Sequence, residues 1–201
     1  MSINPYLPPK SDVSAMTAAD REEAANFYVV APRKFMLLMI ATMSMYSIYW
    51  WYKNWQSYRQ TSGETIWPVV RAIFSLFFVH QFCRIMQTKL ASGAANFAWN
   101  PRTTANVLVV LYIVTAILER ASWKGAGSPY TDLASILLVF PFTLVLLKVQ
   151  HAINTAAGDR GGSANQSITA ANIIWVFEPH RETWRLGCMS YAAMGNSESF
   201  R

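Results

Sequence analysis

The sequence predicts an all-α membrane protein, a bundle of four transmembrane helices whose N-terminus and C-terminus both lie in the cytoplasm. Only 14% of the 201 residues are charged, about half the share in an average soluble domain. Hydrophobic residues make up 53% of the chain and occur in long uncharged blocks. With only two cysteines, this composition excludes both a disordered chain and a disulfide-stapled secreted module.

Residues 1–34 are predicted to form a flexible cytoplasmic N-terminus. Pro5, Pro8 and Pro9 favour an extended, solvated backbone. Thr17 resembles a helix N-cap followed by acidic first-turn residues, which predicts a short surface helix over residues 17–30. The stretch has no apolar core of a secretory signal, so we expect the first hydrophobic run to be an uncleaved span.

Residues 35–150 are predicted to be the four-span membrane domain. The first span is the uncharged run 35–52, whose 18 residues are long enough to cross a bilayer. The second covers about 68–86 and requires Arg71 and Arg84 to extend toward opposite interfaces. The third covers about 103–121 after an Asn100 cap and Pro101, and the fourth about 129–150, where Pro141 should produce a kink.

Residues 151–201 are predicted to be a polar C-terminal tail. Its first part, residues 156–172, is rich in Gly, Ala, Ser and Asn, which is typical of an exposed linker. A short apolar segment follows at 168–177, half the length of a span and a possible truncated fifth segment.

The distribution of basic residues predicts the orientation. Twelve Lys and Arg lie in the N-terminus, in the loop after span two and in the C-terminal region, against five on the other side. Because basic residues are retained on the cytoplasmic side, both termini are expected there.

An aromatic cluster surrounds the loop between the first two spans. Trp and Tyr concentrate at the headgroup level of bilayers, so an interfacial belt is the favoured interpretation, although aromatic cages also bind cations. The predicted belt consists of Trp50, Trp51, Tyr52, Trp55 and Trp67.

Several ionisable residues fall within or beside the spans. His80 and Arg84 share one helix face, which favours either a proton relay or, preferably, a helix end where Arg84 reaches headgroups and His80 bonds a neighbouring helix. On the opposite side, Arg71 is the expected partner for Glu119 or Asp132, a pairing that would fix helix packing.

A motif in residues 27–55 resembles one in an uncharacterised family of small multi-pass bacterial inner-membrane proteins. The family pattern is F-Y-x-V-x-x-x-K-F followed by Y-x-x-Y-W-x-Y-x-N-W, and the resemblance covers about residues 4–177. In the family an apolar helix follows the region of Asn172, whereas this chain turns polar at Glu178, as a frameshifted or divergent terminus would. The resemblance implies the fold and location in the bacterial inner membrane, and no activity.

No catalytic motif accompanies these features, so the sequence predicts neither an enzyme nor a cofactor or metal site. The favoured hypothesis is a membrane protein that acts through a protein partner or as a homo-oligomer, with the lipid bilayer as its other contact and no nucleic acid. The alternative is a small-solute or ion transporter or channel, based on His80, Arg84 and Pro141.

Overall fold

The computed structural model describes residues 27–92, 97–169 and 172, and this part of the chain is helical without strands. The predicted all-α class is therefore confirmed there. Most of the predicted surface helix at 17–30, most of the apolar segment 168–177 and the part of the tail beyond residue 172 lie outside the described residues. The helices are α1 (Pro32–Ala41), α2 (Tyr46–Ser62), α3 (Pro68–Ile73), α4 (Ser75–Ser92), α5 (Pro101–Trp123), α6 (Tyr130–Leu137) and α7 (Val139–Ala156).

Two of these elements are long and apolar enough to cross a membrane. They are α5, with 23 residues, and the stretch Tyr130–Ala156, whose 27 residues comprise α6, Leu138 and α7. They correspond to the predicted third and fourth spans. The start of α5 is built as expected, because the Asn100 side chain accepts a hydrogen bond from the Thr103 N–H at 3.1 Å and Pro101 occupies the first turn.

The first predicted span is not a single helix. The ring centroids of Phe35 and Trp50 are 5.7 Å apart, whereas fifteen residues of continuous helix would separate them by about 22 Å. The chain therefore reverses between α1 and α2, and the Tyr28 N–H reaches Asn54 Oδ1 at 3.2 Å. The two ends of the run 35–52, expected on opposite sides of the bilayer, lie at the same end of the molecule.

The second and fourth predicted spans are also interrupted. Phe74 separates α3 from α4, and Leu138 separates α6 from α7. The second interruption has a local cause, since the ring of Pro141 is incompatible with a regular helical carbonyl at Leu137, the last residue of α6. The interruption at Leu138 lies close to Pro141, where the kink was predicted.

The helices pack around an aromatic core. We call the end that contains Val30, Asn54 and Asn154 the basal end, and the end with the turn between α5 and α6 the apical end. Phe82 of α4 lies at the centre of the core. Its ring packs edge-on against those of Trp50, Trp51 and Trp55, with centroids 5.0–6.2 Å apart.

Besides its apolar core, the molecule has exposed aliphatic side chains and enclosed polar ones. Large aliphatic residues of α5 and α6 face outward, among them Ile117 at 62% exposure and Leu133 at 56%. Several polar side chains are instead enclosed by the helices, among them Lys34, Asn54, Gln150 and Asn154. Large exposed apolar side chains on neighbouring helices are typical of a surface that contacts a membrane or another protein.

Candidate functional site

Three helix interruptions meet around one cavity of about 380 Å³. Its walls are the turn between α1 and α2, the junction of α3 and α4, the middle of α5 and the junction of α6 and α7. Non-helical backbone within a helical bundle carries polar groups that need partners. The backbone N–H and carbonyl groups that helices leave without partners are therefore expected to be concentrated around this cavity.

The turn between α1 and α2 is strained. Met43 and Ser44 adopt left-handed backbone angles, with φ of 49° and 70°, which cost roughly 1–2 kcal/mol for each non-glycine residue. The turn is held by the Ser44 N–H, which donates to Met39 O at 2.7 Å, and by Thr42 Oγ1, which accepts from the Tyr46 N–H at 2.9 Å. Backbone strain of this kind clusters at functional sites.

Ser44 also supplies an unpartnered oxygen. Its Oγ is buried and makes no hydrogen bond within the part of the chain that the structure describes, although Ser44 lines the cavity. A buried hydroxyl without a partner is costly, so a bound molecule that paired with it would recover the lost interaction.

Tyr112 connects the cavity to the aromatic core. Its hydroxyl oxygen accepts hydrogen bonds from Trp51 Nε1 and Ser75 Oγ, each at 3.0 Å. Because both contacts use the oxygen as acceptor, the hydroxyl proton can still be donated. The Tyr112 ring also packs edge-on against Phe142, with centroids 4.9 Å apart, and both residues line the cavity.

Glu119 is the one charged side chain among the described residues that line the cavity. The predicted pairing of Arg71 with Glu119 or Asp132 does not form. Arg71 lies over the Trp55 ring at 4.5 Å and donates to Gln81 at 3.2 Å, because α3 directs it toward the aromatic core.

Asp132 is occupied in another way. Its carboxylate accepts hydrogen bonds from the hydroxyls of Ser122 and Ser128, the latter at 2.7 Å. These contacts join α5 to the start of α6, so Asp132 fixes the apical turn without a basic partner.

The predicted aromatic belt differs from what the structure shows. Trp50, Trp51 and Trp55 are at most 1% exposed and belong to the core. Tyr52 is half-buried, and Trp67 is 74% exposed. The reversal of the chain after α1 folds the aromatic end of the run 35–52 back against α4, which removes the three tryptophans from the surface.

At the basal end, side-chain amides hold the chain segment before α1. Asn154 pairs with both backbone groups of Val30: Oδ1 accepts from the N–H at 3.4 Å, and Nδ2 donates to the carbonyl at 2.9 Å. Asn54 Oδ1 accepts from the Tyr28 N–H in the same segment. Isolated extended backbone lacks the partners that a helix or sheet provides, and these amides supply them.

Two further amides complete this arrangement, which we call the amide clamp. Gln150 Nε2 donates to Tyr28 O at 3.2 Å, while its Oε1 accepts from Trp50 Nε1. Asn165 Nδ2 donates to Val29 O at 3.1 Å. The clamp consists of Asn54, Gln150, Asn154 and Asn165, and it joins the segment 28–31 to α2, α7 and the loop after α7.

Lys34 is buried beside the clamp, at 5% exposure. Its ammonium group donates to Asn165 Oδ1 and Ser167 O, both at 2.7 Å. Carbonyl oxygens thus replace water around this charge, which would otherwise be costly to bury.

The loop after α7 is mostly exposed, as predicted, but it is anchored to the segment before α1. Gly162 is buried with a φ of 66°, and a Cβ there would lie 2.5 Å from the backbone of Val30 and Ala31. Residues 158–167 therefore form a docked loop, held at Gly162, where a free linker was predicted. Small and polar composition indicates a loop but cannot distinguish a packed one from a free one.

Asp159 closes this loop. Its Oδ2 accepts from the Ala164 N–H at 2.9 Å. Partial burial raises the pKa of Asp159, and the surrounding backbone N–H donors lower it by a larger amount. The pKa of Asp159 therefore lies below its ordinary value.

His80 and Arg84 lie on the outer face of α4, toward the basal end. His80 Nε2 is 2.8 Å from Asn106 Oδ1 on α5, the kind of contact expected if His80 serves helix packing. Arg84 is exposed, and both residues border a groove between α4 and α5.

Sequence reasoning missed the cavity and the clamp. The amides of Gln150 and Asn154 interrupt an apolar helix, and buried polar residues of this kind are functional or structural candidates. The motif residues Tyr28, Val30 and Lys34 converge with Asn54 at or beside the clamp, although they were singled out only by resemblance.

Among the described residues, no group of three or more His, Cys, Asp or Glu is placed to hold a metal ion. Comparisons of the chain with family models, with curated proteins and with solved structures find no match.

Proposed function

We propose that this chain is a multi-pass protein of the bacterial inner membrane that binds a small solute in the central cavity and passes it across the bilayer. The observation that carries the proposal is the convergence of three helix interruptions on one cavity. In membrane proteins, irregular backbone at depth is tolerated where it is enclosed by protein or lines a cavity, and transporters use broken helices to form their binding sites.

The membrane environment is supported by the outward-facing aliphatic residues and the enclosed polar side chains. A bilayer solvates such a surface, whereas water does not. Contact with lipid is enough to explain the apolar outer surface, so this surface does not by itself indicate a site for a protein partner. The cavity therefore supports a specific function more directly than the outer surface does.

The orientation follows from the basic residues of the described chain. Only Arg120 and Lys124 lie at the apical end, whereas many lie toward the basal end, which we infer to be cytoplasmic. The basal set is Arg33, Lys34, Lys53, Arg59, Arg84, Lys89, Arg102, Lys148 and Arg160.

In this orientation α5 and the pair α6–α7 cross the bilayer. The helices α1 and α2 form a hairpin that enters from the cytoplasmic side and reverses at Met43 and Ser44. Since α1 has ten residues, it extends for about 15 Å, half the thickness of the hydrocarbon layer. We therefore replace the first of the four predicted spans by a re-entrant hairpin. The second predicted span does not cross the bilayer in this arrangement either, because Arg59 before it and Lys89 after it both lie toward the basal end.

The lining indicates a small organic cation as the solute. Glu119, an exposed side chain of α5, is the one negative charge among the described lining residues, and no basic residue is among them. A carboxylate in this setting attracts a bound cation. The aromatic pair of Tyr112 and Phe142 suits an ammonium group. The volume of about 380 Å³ matches a ligand of small organic size.

Uptake into proteoliposomes tests the proposal, with radiolabelled tetraethylammonium as the probe. The wild-type protein should take up the cation, and Glu119→Gln should reduce uptake by about tenfold, as expected for loss of one charged interaction. The matched control is Glu64→Gln, because Glu64 is exposed outside the cavity. Absence of uptake by the wild type, or equal rates for both variants, would contradict the proposal.

A further inference from the structure

We propose that the groove between α4 and α5 at the basal end binds the phosphate headgroup of an anionic phospholipid. This inference rests on the membrane environment proposed above, but not on solute transport. The groove has a volume of about 570 Å³ and is separate from the central cavity, with which it shares no lining residue.

The groove is strongly basic. Arg84 projects from α4 and Arg102 from the first turn of α5, and His80 lies one turn before Arg84. No carboxylate is among its described lining residues. Two guanidinium groups on facing helices can bind the oxygens of one phosphate from two sides, a geometry to which arginine is well suited.

Both arginines are exposed, and neither guanidinium group makes a hydrogen bond or ion pair with the part of the chain that the structure describes. The other polar groups of the groove are already engaged. His80 contacts Asn106 on α5, and Gln87 accepts from Trp99 Nε1 at 2.6 Å. These contacts hold the two helices together and leave the guanidinium groups for a ligand.

The apolar end of the groove favours a lipid over a free phosphate. Phe77 lines it at 72% exposure, about 10 Å along α4 from Arg84 in the apical direction. The groove therefore changes from basic to apolar toward the bilayer centre. A phospholipid has the same sequence of charged headgroup and acyl chain, and anionic lipids are common in the cytoplasmic leaflet.

Lipid retention measured by native mass spectrometry tests this inference. The full chain, purified in a neutral detergent, should retain phosphatidylglycerol about tenfold more strongly than phosphatidylcholine. Both lipids carry a phosphate, but the choline group balances its charge in phosphatidylcholine, whereas phosphatidylglycerol keeps a net negative charge that attracts the two arginines. The double variant Arg84→Ala/Arg102→Ala should lose this preference. The matched control, Arg120→Ala/Lys124→Ala, removes two charges at the apical end and should keep it.

Three outcomes would overturn the inference. One is an unchanged preference in the Arg84→Ala/Arg102→Ala variant. Another is displacement of phosphatidylglycerol by inorganic phosphate at equal concentration, which would identify free phosphate as the ligand. The third is a Phe77→Ser variant that retains the lipid as well as the wild type does.

A flotation experiment separates this inference from the membrane proposal. Protein that fails to float with phosphatidylcholine vesicles would contradict both. Protein that floats with these vesicles but shows no preference for phosphatidylglycerol would contradict only the lipid site.

Discussion

Asn154 pairs with both the N–H and the carbonyl of Val30, 124 positions earlier in the chain. A single side-chain amide thus replaces the two partners that this residue would have in a sheet. Through it, the segment that precedes the α1–α2 hairpin is fixed to α7. Since the hairpin tip lines the cavity, the pair also sets the position of one cavity wall.

Replacement of Asn154 by leucine should destabilise the protein strongly. The variant keeps a similar volume but leaves the Val30 N–H and carbonyl buried without partners, at a cost of about 2–4 kcal/mol. Denaturant unfolding in detergent, followed by tryptophan fluorescence, measures the change. Gln166→Leu, at an exposed position, is the control and should alter stability little; equal effects of the two substitutions would argue against the clamp.

Replacement of Ser44 by glycine should stabilise the turn between α1 and α2. Glycine adopts a positive φ without the steric penalty that serine pays at 70°, so stability should rise by roughly 1 kcal/mol. Thermal unfolding measures this effect. Ser44→Ala removes the same hydroxyl while it keeps the strain, and a gain of similar size in that control would show that the unpartnered oxygen, not the backbone, is responsible.

Replacement of Gly162 by alanine should release the loop after α7. Gly158→Ala is a matched control, because both glycines have positive φ, of 66° and 74°, but only a Cβ at 162 meets backbone, at 2.5 Å. Both variants incur a backbone penalty of about 1 kcal/mol. The additional clash at 162 should make its loss of stability clearly larger in thermal unfolding, and equal losses would contradict the docked loop.

Acid should weaken the same loop through Asp159. Its folded pKa lies below the ordinary value, so its carboxylate contributes stability above the unfolded pKa of about 3.9, and this contribution is lost as pH falls through the folded pKa. The carboxylate is largely solvated, so the effect should be small. The difference in unfolding midpoint between wild type and Asp159→Asn should shrink between about pH 6 and pH 3; a constant difference would exclude this role.

The sequence predicted the long apolar helices because their evidence is local. The cap at Asn100, the proline at 101 and an uncharged stretch of sufficient length are all visible in one window. The interruption near Pro141 was likewise predictable, since a proline disturbs the carbonyl four residues before it.

The hairpin could not be predicted in the same way. Its reversal occurs at Met43 and Ser44, where neither glycine nor proline interrupts an apolar run. Composition also cannot distinguish an interfacial belt from an aromatic core, because both are rich in tryptophan. The clamp was hidden for another reason, because Asn54 and Asn154 act on backbone groups far away in sequence.

The distance along the chain between Val30 and Asn154 also has a consequence for synthesis. At about 5–20 residues per second, a ribosome needs roughly 6–25 seconds to make the 124 residues that separate them. During that time the Asn154 side chain does not yet exist, so the segment before the newly made hairpin cannot be fixed to α7. The order of translation therefore makes closure of the N-terminal segment a late step of assembly, after α5 and α6 have been produced.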